Sequence, residues 1–281
     1  MIVKQVAGLQ EIAGSYDTLL CDVWGVLHNG AAAFVPAVDA LMRFRGTNGP
    51  VILITNAPRP GHWIKAQIKS LGVPDEAYDV IVTSGDVTRG VIGANPGVRL
   101  FHLGAERDLP FYEGLDVVFA DEADADLISC TGLFDDETET PDDYRELLTR
   151  LVARGLRMVC ANPDLVVERR GKMVYCAGAL ARLYEELGGE VVLVGKPHAP
   201  IYEAVLTEMR LLGRAKPLAV GDGIPTDVLG ATRAGIDVLF ITGGIHAGDF
   251  GPEDQPEAER VSARLEAEKL SAVGFLPRLA W

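Results

Sequence analysis

A chain of 281 residues exceeds what one small core can organise, and a composition of 48% hydrophobic and 23% charged residues is that of a folded globular protein, which sets disorder aside. The 40 Asp and Glu against 26 Lys and Arg leave a formal charge of -14, a field that repels polyanions and excludes nucleic acid as a natural partner. A small anionic ligand meets the same repulsion, so a site for one must supply local countercharge through a metal ion or one or two placed cations.

The N-terminus, MIVKQVAGLQ, lacks a basic stretch followed by a secretory apolar core, and no segment reaches the roughly 18 apolar residues that span a bilayer, so a cytoplasmic protein without membrane contact is expected. Short, continuous apolar runs come next: TLLCDV (18–23), VILIT (51–55) and VIVT (80–83). Such runs suit parallel strands covered on both faces. Pro36 opens a helix after the first run, and Pro60 opens another that Gly72 can close. From about 85 to 182 the chain carries its own strand candidates: VRLFHLG, LDVVFAD, DLISCTG, LRMVCAN and the hairpin-like VVERRGKMVYCAG, with its turn at Arg170, Gly171 and Lys172. An acidic stretch, DDETETPDD (135–143), interrupts this series, and Thr140-Pro141-Asp142 marks the start of a helix. The runs VVLVG (191–195), LAVGD (218–222) and VLFIT (238–242) then resume the first pattern. The expected fold is α/β: a doubly wound, Rossmann-like parallel-sheet core over 1–84 and 183–281, with an inserted α/β domain over 85–182. Cys21, Cys130, Cys160 and Cys176 show no C-x-x-C spacing and read as buried reduced thiols.

In parallel α/β sheets ligands bind at the carboxyl ends of the strands. Four predicted strands end in chemistry-bearing residues: Asp22-Val23-Trp24-Gly25, Thr55-Asn56, Gly195-Lys196-Pro197, and Gly221-Asp222-Gly223-Ile224-Pro225-Thr226-Asp227. A single strand-end Asp is more often a helix cap or turn residue than a catalyst. Three carboxylates, a lysine and a hydroxyl at strand ends point instead to a site, because buried carboxylates are costly unless paired or bound to a cation.

In order and spacing these four segments resemble the motifs of the haloacid dehalogenase-like superfamily. The Thr55-Asn56-x-x-Arg59 form, the run Asn162-Pro163-Asp164 and Gly-Lys-Pro are similar to the subgroup of nitrophenyl phosphatases and sugar-phosphate phosphatases, which carries a large cap between its second and third motifs. The resemblance implies a phosphatase for a small phosphorylated metabolite, with Asp22 as nucleophile. It implies Mg2+ held by Asp22, Asp222 and the main-chain carbonyl of Trp24, with Asp227 beside them. Lys196, Thr55 and Asn56 would neutralise and hold the phosphoryl group, while Arg59, Asn162 and Asp164 would face the substrate. It also points to a homodimer. One position departs from the pattern: the second Asp of the first motif, which protonates the leaving oxygen in phosphatases, is Trp24 here, and indole has no proton to exchange at physiological pH. His28, four residues on, is the first candidate to replace it, and His246 the second. A phosphate-binding regulatory protein without useful turnover is the alternative that Trp24 leaves open, with a true dehalogenase behind it.

Overall fold

The computed structural model describes residues 2–169 and 172–281. The chain forms two compact units, one of Met1–Thr55, His62–Val82 and Tyr202–Trp281, the other of Asn56–Gly61 and Thr83–Ile201. In chain order, α1 (Gln10–Ala13), β1 (Thr18–Asp22), α2 (Val35–Thr47), β2 (Val51–Thr55), α3 (Gly61–Ser70) and β3 (Val80–Thr83) precede the insert. The insert contains α4 (Ser84–Gly93), β4 (Val98–Leu103), β5 (Val117–Phe119), β6 (Leu127–Cys130), α5 (Arg145–Ala153), β7 (Arg157–Cys160), β8 (Val166–Arg169), β9 (Lys172–Tyr175), α6 (Ala177–Glu186) and β10 (Glu190–Leu193). The chain closes with α7 (Ala199–Leu211), β11 (Pro217–Gly221), α8 (Leu229–Ala234), β12 (Asp237–Ile241), α9 (Ala258–Ala267) and β13 (Gly274–Leu276). Among the described residues no helix is long and apolar enough to cross a membrane.

The first unit is built on a six-stranded sheet ordered β13-β12-β11-β1-β2-β3. β1 pairs in parallel with both β2 and β11, so the sheet grows one way from β1 in the first third of the chain and the other way in the last. Every residue of β1 and β2 is buried, as continuous apolar runs require. α2 begins with Pro36 in its first turn and buries Ala37, Ala40, Leu41 and Phe44, the spacing of one helical face. α3 buries Ile64 and Ile68, and Gly72 at φ 103° ends that excursion.

The second unit is a five-stranded parallel sheet ordered β10-β7-β6-β4-β5, plus the antiparallel pair β8-β9. Its two faces carry separate apolar clusters: Tyr144, Leu148, Leu151, Leu180 and Tyr184 with Ile128, Met158 and Cys160 on one, Ile92, Phe111 and Tyr112 with Leu100, Leu127 and Val159 on the other. The Thr140-Pro141 helix start is present as a capping box, with Asp143 accepting from the Thr140 N–H at 2.8 Å. Of the expected hairpin turn, Arg170 and Gly171 lie outside the described residues.

Two features correct the sequence reading. The run at 191–195, expected among the core strands, forms β10 and pairs with β7 in the insert's sheet, Val191 opposite Met158 and Leu193 opposite Cys160. Residues 183–201 accordingly pack with the insert, which also recruits Asn56–Gly61. β13, too short to announce itself, adds an edge strand to the first sheet, Phe275 opposite Phe240.

Candidate active site

Asp22 is the last residue of β1, and Asp222 follows β11 directly. These two strands are neighbours, Cys21 opposite Val220, at the place where the strand order reverses. A crevice opens at such a point because the connections on either side leave in opposite directions. Asp227 joins them from a single π turn, Ile224–Val228. The three carboxylates are 6%, 5% and 5% exposed and bring one oxygen each to within 4.8 Å of the others. Three anions so close and so buried repel one another strongly unless a cation offsets them. An all-oxygen, trianionic donor set fits a hard divalent ion such as magnesium.

The local sequence explains the convergence. Gly25, at φ 84°, turns the chain after Trp24 and passes so near Asp222 that a Cβ would overlap its Oδ2. Gly244 approaches the same oxygen equally closely, and the Ile245 N–H donates to it at 2.8 Å. Asp222 is thus fixed by main chain from two loops. Asp227 is fixed by its own turn: its Oδ2 accepts from the Gly223 N–H at 3.0 Å and the Thr226 hydroxyl at 3.3 Å. The Asp227 and Val228 N–H groups both donate to the Gly223 carbonyl, at 2.8 and 3.1 Å, which is the widened turn of a π bulge.

The loop after Asp22 is held by His28. Its carbonyl accepts from the Gly25 N–H at 2.9 Å, its Nδ1 accepts from the Gly30 N–H at 3.0 Å, and its ring meets Trp24 edge to face, centroids 5.3 Å apart. Gly30 lies against the indole, where a Cβ would overlap the ring. Burial lowers the His28 pKa. A neutral imidazole with Nδ1 accepting is a brace and a poor acid, so the geometry goes against His28 as the substitute proton donor. His246 fares similarly. Its Nε2 accepts from the Ile224 N–H at 3.4 Å, and burial and Arg264 lower its pKa against the pull of Asp249.

Thr55, 7% exposed, ends β2 in the first unit. Asn56, Arg59, Asn162, Asp164 and Lys196 belong to the second. There the Asn56 amide donates to Asp164 Oδ1 at 2.9 Å and to the Lys196 carbonyl at 3.0 Å, while its Oδ1 accepts from the Lys196 N–H at 2.7 Å. Asn162 Oδ1 accepts from the Asp164 N–H at 3.0 Å. A Cβ at Gly195 would collide with Asn56 and Pro163, so the glycine lets this cluster close. The side-chain amide of Asn56, expected to hold phosphoryl oxygens, is instead spent on fixing the main chain of Lys196 and the Asn-Pro-Asp turn. Lys196 is 3% exposed, and Arg59 is exposed while its main chain packs on Gly85. Sequence reasoning missed Gly244 and Ile245; their only signal was a glycine pair directly after a predicted strand.

Comparison with known proteins agrees with this architecture. The sequence model of haloacid dehalogenase-like hydrolases matches residues 19–117, and a second HAD-hydrolase-like model matches residues 193–267. A crystal structure of a hydrolase of the haloacid dehalogenase-like family from Brucella suis 1330 superposes with a TM-score of 0.83 at 47% identity, covering 97% of this chain and 98% of its own. The ribonucleotide monophosphatase NagD of Escherichia coli K12 is 26% identical over 235 residues, 82% of this chain and 89% of NagD. The D-glycerol 3-phosphate phosphatase of Mycobacterium tuberculosis is 27% identical over 248 residues, 85% of this chain and 66% of that protein. With two such sequence models matched and a relative 47% identical over nearly its whole length, the chain belongs to the haloacid dehalogenase-like hydrolase family.

Proposed function

We propose that the protein is a magnesium-dependent phosphatase that hydrolyses a small phosphorylated metabolite through an aspartyl phosphate on Asp22. The observation that carries this reading is the buried triad of Asp22, Asp222 and Asp227, and the phosphatase activities named for NagD and the glycerol phosphate enzyme support it. Asp22, Asp222 and the main-chain carbonyl of Trp24 would hold the ion, with Asp227 beside them. When bound, the metal supplies positive charge that lets an anionic phosphoryl group approach three carboxylates.

As a carboxylate, Asp22 attacks without first losing a proton. One of its oxygens bonds to phosphorus as the ester oxygen departs with the bonding electrons; water later attacks the phosphorus, the bond from phosphorus to Asp22 breaks with its electrons returning to the carboxylate, and inorganic phosphate leaves as the water's proton passes to solvent. Lys196 offsets charge on the transferring group, and Thr55 donates a hydrogen bond to its oxygens. Asn56 acts as a positioning residue by fixing Lys196, while Arg59, Asn162 and Asp164 contribute to substrate choice. No proton comes from Trp24, so departure is easiest for leaving groups that need none.

A panel of phosphate monoesters assayed with and without magnesium tests the reading. Turnover should require the ion and disappear in Asp22→Asn, a nearly isosteric change that preserves the melting temperature; undiminished turnover in that variant would remove Asp22 as nucleophile. Rate should fall steeply with leaving-group pKa in the wild type and less steeply in Trp24→Asp, because a positioned acid contributes about 10² to 10⁴ in rate. Equal, shallow slopes in both proteins would show that another acid serves.

A further inference from the structure

Two large apolar side chains stand exposed on the loops that contact Asp222, and the chemistry above uses neither side chain. Trp24 is 42% exposed and Ile245 is 72% exposed. Each sits next to a main-chain contact with the same atom: Trp24 precedes Gly25, which abuts Asp222 Oδ2, and the Ile245 N–H bonds to that oxygen. They therefore flank the ion-holding carboxylate on two different loops. The indole is set in place. His28 meets it edge to face, and Gly30 clears the space for its far edge. The part of the ring left wet adds nothing to the core, whereas a preformed apolar surface beside a charged centre lowers the cost of binding a ligand that has both characters.

We infer that Trp24 and Ile245 determine which ester group the site accepts, and that the substrate is a phosphate monoester with aromatic or other apolar surface next to phosphorus. The inference rests on the phosphatase reading above. A phosphoryl group anchored at the triad would project its substituent past the loops that carry these two side chains. A polar substituent gains nothing there, while a flat apolar one exchanges water for the indole and the isoleucine.

Binding of non-hydrolysable phosphonates separates this selection from leaving-group chemistry. Affinities of benzylphosphonate and methylphosphonate are measured by calorimetry on the full-length protein with excess magnesium. Benzylphosphonate should bind roughly tenfold more tightly, a margin in keeping with one aromatic contact plus buried area. Trp24→Ala should remove most of that margin. Ile245→Ser, at a position exposed enough to spare the fold, should remove part of it. Equal affinities in the wild type, or a margin unchanged in both variants, would overturn the assignment while leaving the phosphatase reading intact. Failure of both phosphonates to bind would overturn both readings.

Discussion

Asp222 is confined by glycines on two loops, and this makes Gly244 the more sensitive test of the site. Its backbone is not in the left-handed region, so an added methyl group acts only through overlap with the Asp222 carboxylate. Gly244→Ala should weaken magnesium affinity about 10- to 100-fold, the range typical for disturbing groups that orient a ligand, with a smaller effect on thermal stability. Titration of the ion by calorimetry checks it, and unchanged affinity would mean the carboxylate can yield without cost. Asp22, Asp222 and Asp227 were legible in the sequence because a carboxylate at the end of a buried run has few bland explanations once three occur. Asn56 stood out in the sequence, but not for the bonds it makes. Its partner Lys196 is 140 positions away, and no local pattern shows that an amide is consumed by a distant main chain.

Among the elements, parallel strands were readable and their sheet membership was not. A continuous apolar run reports burial on both faces, and both sheets here meet that condition, so VVLVG carried no mark of the sheet it joins. β13 escaped because three residues give no period to detect. The insert's sheet has its own reversal of strand order between β4 and β6, where His102 Nε2 lies 3.0 Å from the Thr131 hydroxyl, which donates to Asp108 at 3.0 Å. Burial lowers the His102 pKa more than Asp108 raises it. The folded protein therefore binds this proton less readily than the unfolded chain, whose histidines titrate near about 6.5. The contribution of His102 to stability is complete above that pH and declines as the pH falls toward the folded-state pKa. Thermal melts from pH 7.5 to 5 should show a shallower acid loss for His102→Gln than for the wild type, and identical slopes would contradict the assignment.

At the scale of the whole molecule, the buried thiols report on the two units separately. Cys21 lies in the first, while Cys130, Cys160 and Cys176 lie in the second, and all four are buried. Cys130 and Cys160 are register partners on β6 and β7; burial pushes the Cys130 thiol well up and the Cys160 thiol up to about 12. Thiolates are the reactive form, so the native protein should resist alkylation at pH 8. With rising denaturant the three thiols of the second unit should become labelled together and Cys21 in its own transition, as peptide mass mapping would resolve. Labelling of Cys130 well before Cys160 would show that the second unit does not open cooperatively. Two domains were legible from the change in strand pattern near 85. The recruitment of Asn56–Gly61 was not, because nothing in that stretch differs from an ordinary loop.

That recruitment bears on how portable the insert is. A domain spliced in at two joints can be cut out like a cassette, and the host closes over the gap. Here excision of 83–201 would leave Asn56 without Lys196 and Asp164, and the Gly61 N–H without the Asp86 carboxylate that accepts it at 2.8 Å. The stranded loop follows directly on Thr55, at the end of a buried strand. Trimming this protein to a minimal core, or grafting its insert onto another host, therefore means rewriting a stretch of host sequence away from either cut as well.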